Sequence, residues 1–164
     1  MIKMFSILFS HKYDRSDLLS SVLYNEKGFY KAFKKDLKRA KSNVVIESPY
    51  FTRRRVLEFA LIFKKLNKKG VKVLIHTRHP RQHQEPLRSQ AYESIKMLKN
   101  VGVKVKTHKD LRHRKLAVLD DSVLWEGSLN ILSQSNSREI MRRSKSKALC
   151  RQMTKAAGLS RMRW

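Results

Sequence analysis

Apolar positions along this chain follow two alternating rhythms. Phe29, Phe33, Leu37 and Ala40 stand four, four and three apart. That spacing lays one apolar stripe along a helix beginning near Lys27, with Lys34, Lys35, Lys38, Arg39 and Lys41 on the other side. Val44-Val45-Ile46 is a short β-branched run that stops at Ser48-Pro49, the pattern of a buried strand. Thr52 then caps a second helix running to about Lys69, with Val56, Ala60, Phe63 and Leu66 inward and Gly70 at its end. Val71 to Ile75 reads as the next strand, and His79 to Gln84 as a polar, proline-containing loop. A third helix spans about Glu85 to Lys99, turns Leu87, Ala91, Ile95 and Leu98 inward, and stops at Asn100 and Gly102. Val103 to Lys106 alternates as a strand exposed on one side does.

Strand, helix, strand, helix, strand is the order of an α/β domain with a parallel stretch of sheet. His113 to Leu119 and Ser122 to Glu126 follow as two strands, joined at Asp120-Asp121 by a tight hairpin turn. The expected fold is therefore α/β, a mixed, mainly parallel β-sheet flanked by helices. Met4 to Phe9 fits a first strand, while Asp14 to Asn25 is polar and mixed and takes no assignment. Ile131 to Ser137 reads as a loop or short helix, and Glu139 to Met141 as a last strand. From Arg142 to Trp164 there is no acidic residue. This stretch is expected to be a basic C-terminal tail, about 142–164, with a helical pattern from Lys147 to Ala157. The 164 residues fit one domain, 1–164, that buries roughly two thirds of its unfolded surface.

Composition narrows the function. No apolar run approaches the roughly 18 residues that span a bilayer. Met1 to Phe9 is too short an apolar stretch for a targeting signal. His11, Lys12 and Asp14 follow it without a small-residue cleavage site, so it reads as a strand or docking segment. Cys150 is the single cysteine, which excludes an intrachain disulfide and a cysteine-based zinc site and points to a reducing compartment, the cytoplasm. The net charge is +25. A field of that size draws polyanions, with nucleic acid first, an anionic membrane surface second, and a plainly solvated basic surface as the bland alternative.

The candidate chemistry sits at His113-x-Lys115-x4-Asp120, followed by Gly127-Ser128-x-Asn130 and then Glu139. Strand parity puts His113 and Lys115 on one face and Leu116 and Val118 on the other, toward a core. Asp120 has the opposite parity to His113, so it belongs to the scaffold or the turn. An imidazole attacks a phosphodiester phosphorus and is later displaced by water, so His113 is the candidate nucleophile. Lys115 neutralises phosphate oxygens beside it. Ser128 and Asn130 supply donors at a turn where Gly127 permits close approach of the backbone, and a carboxylate such as Glu139 fixes the useful imidazole tautomer.

A His-x-Lys pattern alone is weak in a lysine-rich chain. The second block makes the ensemble specific, and together the two resemble the phospholipase D superfamily, whose signature is a His-Lys-Asp motif followed by Gly-Ser-x-Asn. Val45 to Tyr50 and Thr52 to Val56 also resemble the small single-motif modules of that superfamily. Such modules occur as stand-alone nucleases and as tails of helicase-like ATPases, which makes an ATPase of that kind a candidate partner. The resemblance supports the roles above at the matching positions and implies phosphohistidine chemistry without a metal or other cofactor. It also implies two histidines per site, a nucleophile and a general acid. This chain carries one copy of the motif, so the second histidine is expected from another chain, most economically across the two-fold axis of a homodimer.

Other candidates have blander readings beside them. His76, His79 and His83 are close in sequence, but Pro80 interrupts them and only Glu85 adds a carboxylate nearby, so no metal site is expected. Arg53, Arg54 and Arg55 at a helix start, and Arg114 inside the motif, are candidate phosphate contacts or solvated charges. Tyr50 and Trp125 are candidates for stacking on bases, with core packing preferred for Trp125. The expected function is a metal-independent endonuclease, with DNA ahead of RNA. The alternatives are a nucleic-acid-binding module with weak or no catalysis that serves a larger helicase, repair or restriction system, and a phospholipid phosphodiesterase.

Overall fold

The apolar stripe at 29–40 builds the first helix, α1 (Glu26–Arg39), against one face of the sheet. The Asn25 side chain accepts the Gly28 N–H at 3.0 Å and so caps the helix start. Phe29, Phe33 and Leu37 are fully buried, and Trp125 packs edge-on against both phenyl rings. The Trp125 indole N–H donates to Asp36 at 3.0 Å, and Arg143 grips the same carboxylate through two nitrogens. One α1 carboxylate therefore ties the helix to two strands while satisfying a buried indole. The structure is a computed structural model and describes residues 21–133 and 136–159. The strand expected at Met4 to Phe9 lies outside the described residues.

Among the described residues, seven strands form one sheet: β1 (Ser21–Asn25), β2 (Asn43–Glu47), β3 (Lys72–Arg78), β4 (Lys104–His108), β5 (Lys115–Leu119), β6 (Val123–Gly127) and β7 (Ile140–Lys145), in the order β1-β7-β6-β5-β2-β3-β4. Helices α2 (Arg53–Lys68) and α3 (Leu87–Asn100) make the crossovers that keep β2, β3 and β4 parallel. The sheet is mixed and helix-flanked, as the alternation implies, but not mainly parallel. The other four pairings are antiparallel. Past β5 the connections carry no crossover helix. The link from Asp120 to Ser122 is a three-residue turn in which Asp120 and Asp121 take φ of 50° and 52°, and so short a turn joins antiparallel neighbours only.

Three other expectations change. β1 falls in the stretch left unassigned; it is an edge strand whose Ser21, Val22 and Leu23 are exposed, so no apolar run marks it. β3 runs three residues past Ile75 because its pairing with β4 continues to Arg78 opposite His108, and that extension brings His76, Thr77 and Arg78 into the sheet. The basic tail does not begin at 142. Arg142 to Lys145 is β7, and α4 (Lys147–Ala156) packs on the sheet face opposite α1. There Cys150 meets Val118 and Leu124, and Ala157 and Leu159 meet Leu116. No helix among the described residues is long and apolar enough to cross a membrane.

Asp120 lies in the hairpin turn. Its carboxylate accepts the backbone N–H groups of Lys41, Ser42 and Asn43 and the Ser42 hydroxyl, at 2.8 to 3.2 Å. It thereby pins the entry to β2 against the end of β5. Burial pushes this carboxyl up, and the hydrogen bonds from Ser42, Asn43 and Lys41 outweigh it, holding the group below its ordinary value of 3.8. Asp120→Ala is expected to lower stability at pH 7 by about 2 kcal/mol, because three amides lose their acceptor. A depressed carboxyl stabilises above its unfolded pKa, and the contribution fades as pH falls through the folded value. Urea denaturation of both proteins should show the gap closing below about pH 4; a gap that persists at pH 2 would contradict this role.

Candidate active site

The carboxyl ends of β2 and β3 meet the start of β5, the end of β6 and the start of β7 at one edge of the sheet. Lys115 is the first residue of β5 and lies opposite Gly127, which in turn lies opposite Met141. A side chain at Gly127 would place its Cβ 2.1 Å from the Ile140 carbonyl oxygen, so only glycine fits where β6 crosses β7. Ser128 continues the contact. Its N–H donates to the Ile140 carbonyl at 3.0 Å and its Oγ accepts the Ile140 N–H at 3.2 Å, leaving the hydroxyl proton available to donate. Asn130 follows, with Oδ1 buried and unpartnered among the described residues. The turn carrying it is held to the loop after β2: Leu132 donates its N–H to Ser48 Oγ, and Thr52 donates to the Leu132 carbonyl.

His113 precedes β5 by two residues, in extended chain and not in the strand itself. Its ring meets Tyr50 edge-on, with centroids 5.9 Å apart. The Lys115 ammonium donates back to the His113 carbonyl at 2.6 Å, so the two side chains sought from parity share one region. On either side of His113 an arginine reaches inward to Glu47, the last residue of β2, which is fully buried. Arg114 meets both of its oxygens at 3.2 Å and Arg112 approaches one at 3.5 Å. Arg114 also donates to the Ala157 carbonyl at the end of α4, and Arg112 pairs with Asp110.

The local field is strongly cationic. Partial burial, the Lys115 ammonium and the Arg78 guanidinium hold the His113 imidazole below its ordinary value of 6.5. Burial and Arg78 likewise lower Lys115, against an upward pull from Glu139. These neighbours bias the His113 imidazole toward its neutral form, the form of an imidazole that can act as a nucleophile. Glu139 faces Lys115 and not His113. Its carboxylate accepts the Ser137 hydroxyl at 2.7 Å, and its N–H donates to Glu26 at the start of α1. Among the described residues it makes no hydrogen bond to His113, so the tautomer-fixing role expected of it is not seen within one chain.

The remaining candidates separate. Arg53 and Arg54 are exposed on the first turn of α2. Arg55 is corrected to a core-facing residue: it is 8% exposed, lies 3.7 Å over the Tyr30 ring and pairs with Glu58. Arg114 is half-exposed, but Glu47 and Ala157 hold its guanidinium, so it belongs first to the scaffold. Trp125 is in the core. The three histidines weighed for a metal turn to different partners. His76 Nδ1 lies 2.9 Å from His108 Nε2, His79 accepts the Arg81 N–H, and His83 packs on Tyr50. Burial first, then His108 and the cations Arg112, Lys106 and Arg114, push His76 down to about 4.

Two residues at this edge were not foreseen. Glu47 had a signal, since it is a carboxylate directly after a buried β-branched run. Arg78 had none, because the strand that presents it seemed to end at Ile75.

Comparison with known proteins gives a consistent family. The family model described as "Cardiolipin synthase, PLD-like domain" matches residues 33–158. The chain has no match among curated proteins. Among solved structures it is similar in fold to Nuc from Salmonella typhimurium, a phospholipase D family member, with TM-score 0.68, 16% identity, and 84% and 90% of the two chains covered. It is similar to NucT from Helicobacter pylori, with TM-score 0.66, 19% identity, and 83% and 91% covered. It also resembles TrmBL2, an archaeal chromatin protein whose structure shows a novel mode of DNA binding, with TM-score 0.58, 12% identity, and 84% and 50% covered.

The electrostatics of the edge can be measured directly. An NMR titration of the His113 ring protons is expected to give a pKa below 6.5, and Lys115→Met is expected to raise it, because removing a neighbouring cation favours the imidazolium. A wild-type value at or above 6.5, or no rise in the variant, would overturn this assignment.

Proposed function

The chain belongs to the phospholipase D-like domain family, and on that premise we propose that it is a metal-independent phosphodiesterase that cuts nucleic acid, with DNA ahead of RNA. The observation that carries this reading is the placing of His113 and Lys115 together, the Lys115 ammonium bonded to the His113 carbonyl, at a strand edge closed by Gly127 and Ser128. His113 attacks phosphorus, a P–N bond forms, and the P–O bond to the leaving strand breaks. The leaving oxygen takes a proton from a second imidazole. That imidazole, now neutral, removes a proton from water, and the water oxygen displaces His113 and restores both groups. Lys115, Ser128 and Asn130 bear the charge on the phosphate oxygens as the five-coordinate state forms.

One chain supplies one such histidine, so the second belongs to another copy, and a homodimer with His113 from each protomer completes the site. The net charge of +25 supports a polyanionic substrate, because phosphate contacts dominate nucleic-acid affinity. The family description favours a second reading, a phospholipid phosphodiesterase, and the likeness in fold to TrmBL2 favours a third, binding without cleavage.

Single- and double-stranded DNA and RNA, together with anionic liposomes, should be incubated in EDTA with wild type and with His113→Asn. Cleavage of at least one nucleic acid is expected, with a loss of about a thousandfold or more in the variant. Headgroup release alone would favour the lipid reading, salt-sensitive binding alone the third, and an active variant would sink the mechanism. Sedimentation is expected to show activity travelling with a dimer; an active monomer would contradict the shared site.

A further inference from the structure

Among the described residues, inward-turned arginines come with carboxylates. Arg55 has Glu58, Arg112 has Glu47 and Asp110, Arg114 has Glu47, and Arg143 has Asp36. Arg78 is the exception. It is half-buried, its Nε is inaccessible and unpartnered, and among the described residues no carboxylate pairs with it. A guanidinium taken out of water without a counter-charge is costly, and such groups are seldom held that way unless an anion completes them.

Its position indicates which anion. Arg78 is the last residue of β3, at the sheet edge where His113 and Lys115 lie. Its guanidinium donates to the Tyr50 hydroxyl at 2.9 Å and lies 5.7 Å from the Tyr50 ring centre. The same ring meets His113 on one side and the buried His83 on another, at 5.9 and 5.2 Å, so it is wedged in place. We propose that Arg78 is a second cationic contact, beside Lys115, to the phosphate bound at His113 and Lys115, and that the Tyr50 phenol positions its guanidinium for that contact. The planar fork of an arginine suits two oxygens of one phosphate, where an ammonium acts as a point charge. Arg78 also depresses the proton affinity of both His113 and Lys115, as expected of two cations gathered beside one imidazole. Arg78 is then a catalytic residue in contact with substrate, and Tyr50 a positioning residue that acts through it.

The inference rests on reading His113 and Lys115 as a phosphodiester site, but not on nucleic acid as the substrate. The test is titration of the full chain with inorganic phosphate, followed through the His113 ring protons, for wild type, Arg78→Gln, Arg78→Lys, Tyr50→Phe and the Arg78→Gln/Tyr50→Phe pair. Near-UV circular dichroism checks that each variant is folded. Arg78→Gln is expected to weaken phosphate about tenfold, and Arg78→Lys less. Tyr50→Phe is expected to weaken it in wild type but to add nothing once Arg78 is gone, since its effect passes through the guanidinium. Unchanged affinity in Arg78→Gln, fully additive losses in the pair, or no phosphate binding at His113 in wild type would each overturn the proposal. Weakened phosphate binding in Arg78→Gln, with no cleavage of any nucleic acid by wild type, would retire the nuclease and leave Arg78 in its role. Nucleic-acid cleavage with unchanged phosphate affinity would do the reverse.

Discussion

The candidate site hangs on one buried carboxylate. Glu47 is removed from solvent at the end of β2, and an unpaired charge there would be untenable. Its partners come from residues 112 and 114, either side of His113. The cost of burying the carboxylate is offset only when that segment lies across the strand end, so the same pairing that neutralises Glu47 sets where the His113 backbone runs. Arg114 extends the arrangement to the carbonyl of Ala157. The last helix is therefore fastened to the segment that carries the imidazole, although α4 lies on the far face of the sheet from α1. A buried ion pair is weak support for stability as such; its use here is geometric, because it locates a segment that has no strand pairing of its own.

The mixed topology gives that pin its surroundings. A parallel β2–β3–β4 stretch delivers three carboxyl ends to one edge, while the antiparallel β5, β6 and β7 bring one strand start, one strand end and a second strand start to the same edge. A purely parallel sheet would place all strand starts at the opposite edge, and Lys115 and Ile140 with them. The short turn from Asp120 to Ser122 is what reverses the chain. Asp120 then fastens that turn to the amides before β2, at the edge away from His113. One aspartate of the motif thus serves the chemistry through the fold and does not touch the reacting atoms.

Most of the scaffold was legible because the core is periodic. Phe29, Phe33 and Leu37, or Val44 and Ile46, announce their elements by spacing alone, and the parity of Asp120 kept it out of the chemistry. Legibility failed where tertiary partners, not local pattern, decide the outcome. β1 is an exposed edge that exists because β7 pairs with it. β3 outlasts its apolar run because β4 continues beside His76 and Arg78. Arg55 belongs to a run of three arginines that is uniform in sequence and divided in space, since a helix turns one residue inward while its neighbours stay in water. Glu139 follows the same rule. Its spacing from Asn130 marks it as part of the site, but only the packing of Ser137 and Lys115 shows which group it serves in one chain.

Charge inside the site follows a different logic from charge on the surface. Elsewhere the chain disposes of inward cations by pairing: Asp36, Glu47 and Glu58 each accept two basic or donor groups. At the His113 edge that economy stops. Lys115 has only Glu139 pulling against two depressing influences, and Arg78 has a neutral phenol. A protein with 13 acidic residues against 38 lysines and arginines cannot neutralise every cation, but it pairs the inward-turned ones first, so a half-buried guanidinium left over is not a consequence of composition. The unpaired guanidinium lies near an imidazole whose proton affinity is lowered. A dianionic transition state gains most from cations that are already desolvated and fixed before it forms, because no reorganisation is then required as charge develops. On that physical ground the unpaired guanidinium and the imidazole biased toward neutrality fit one candidate site, suited to the anionic group of the proposed substrate.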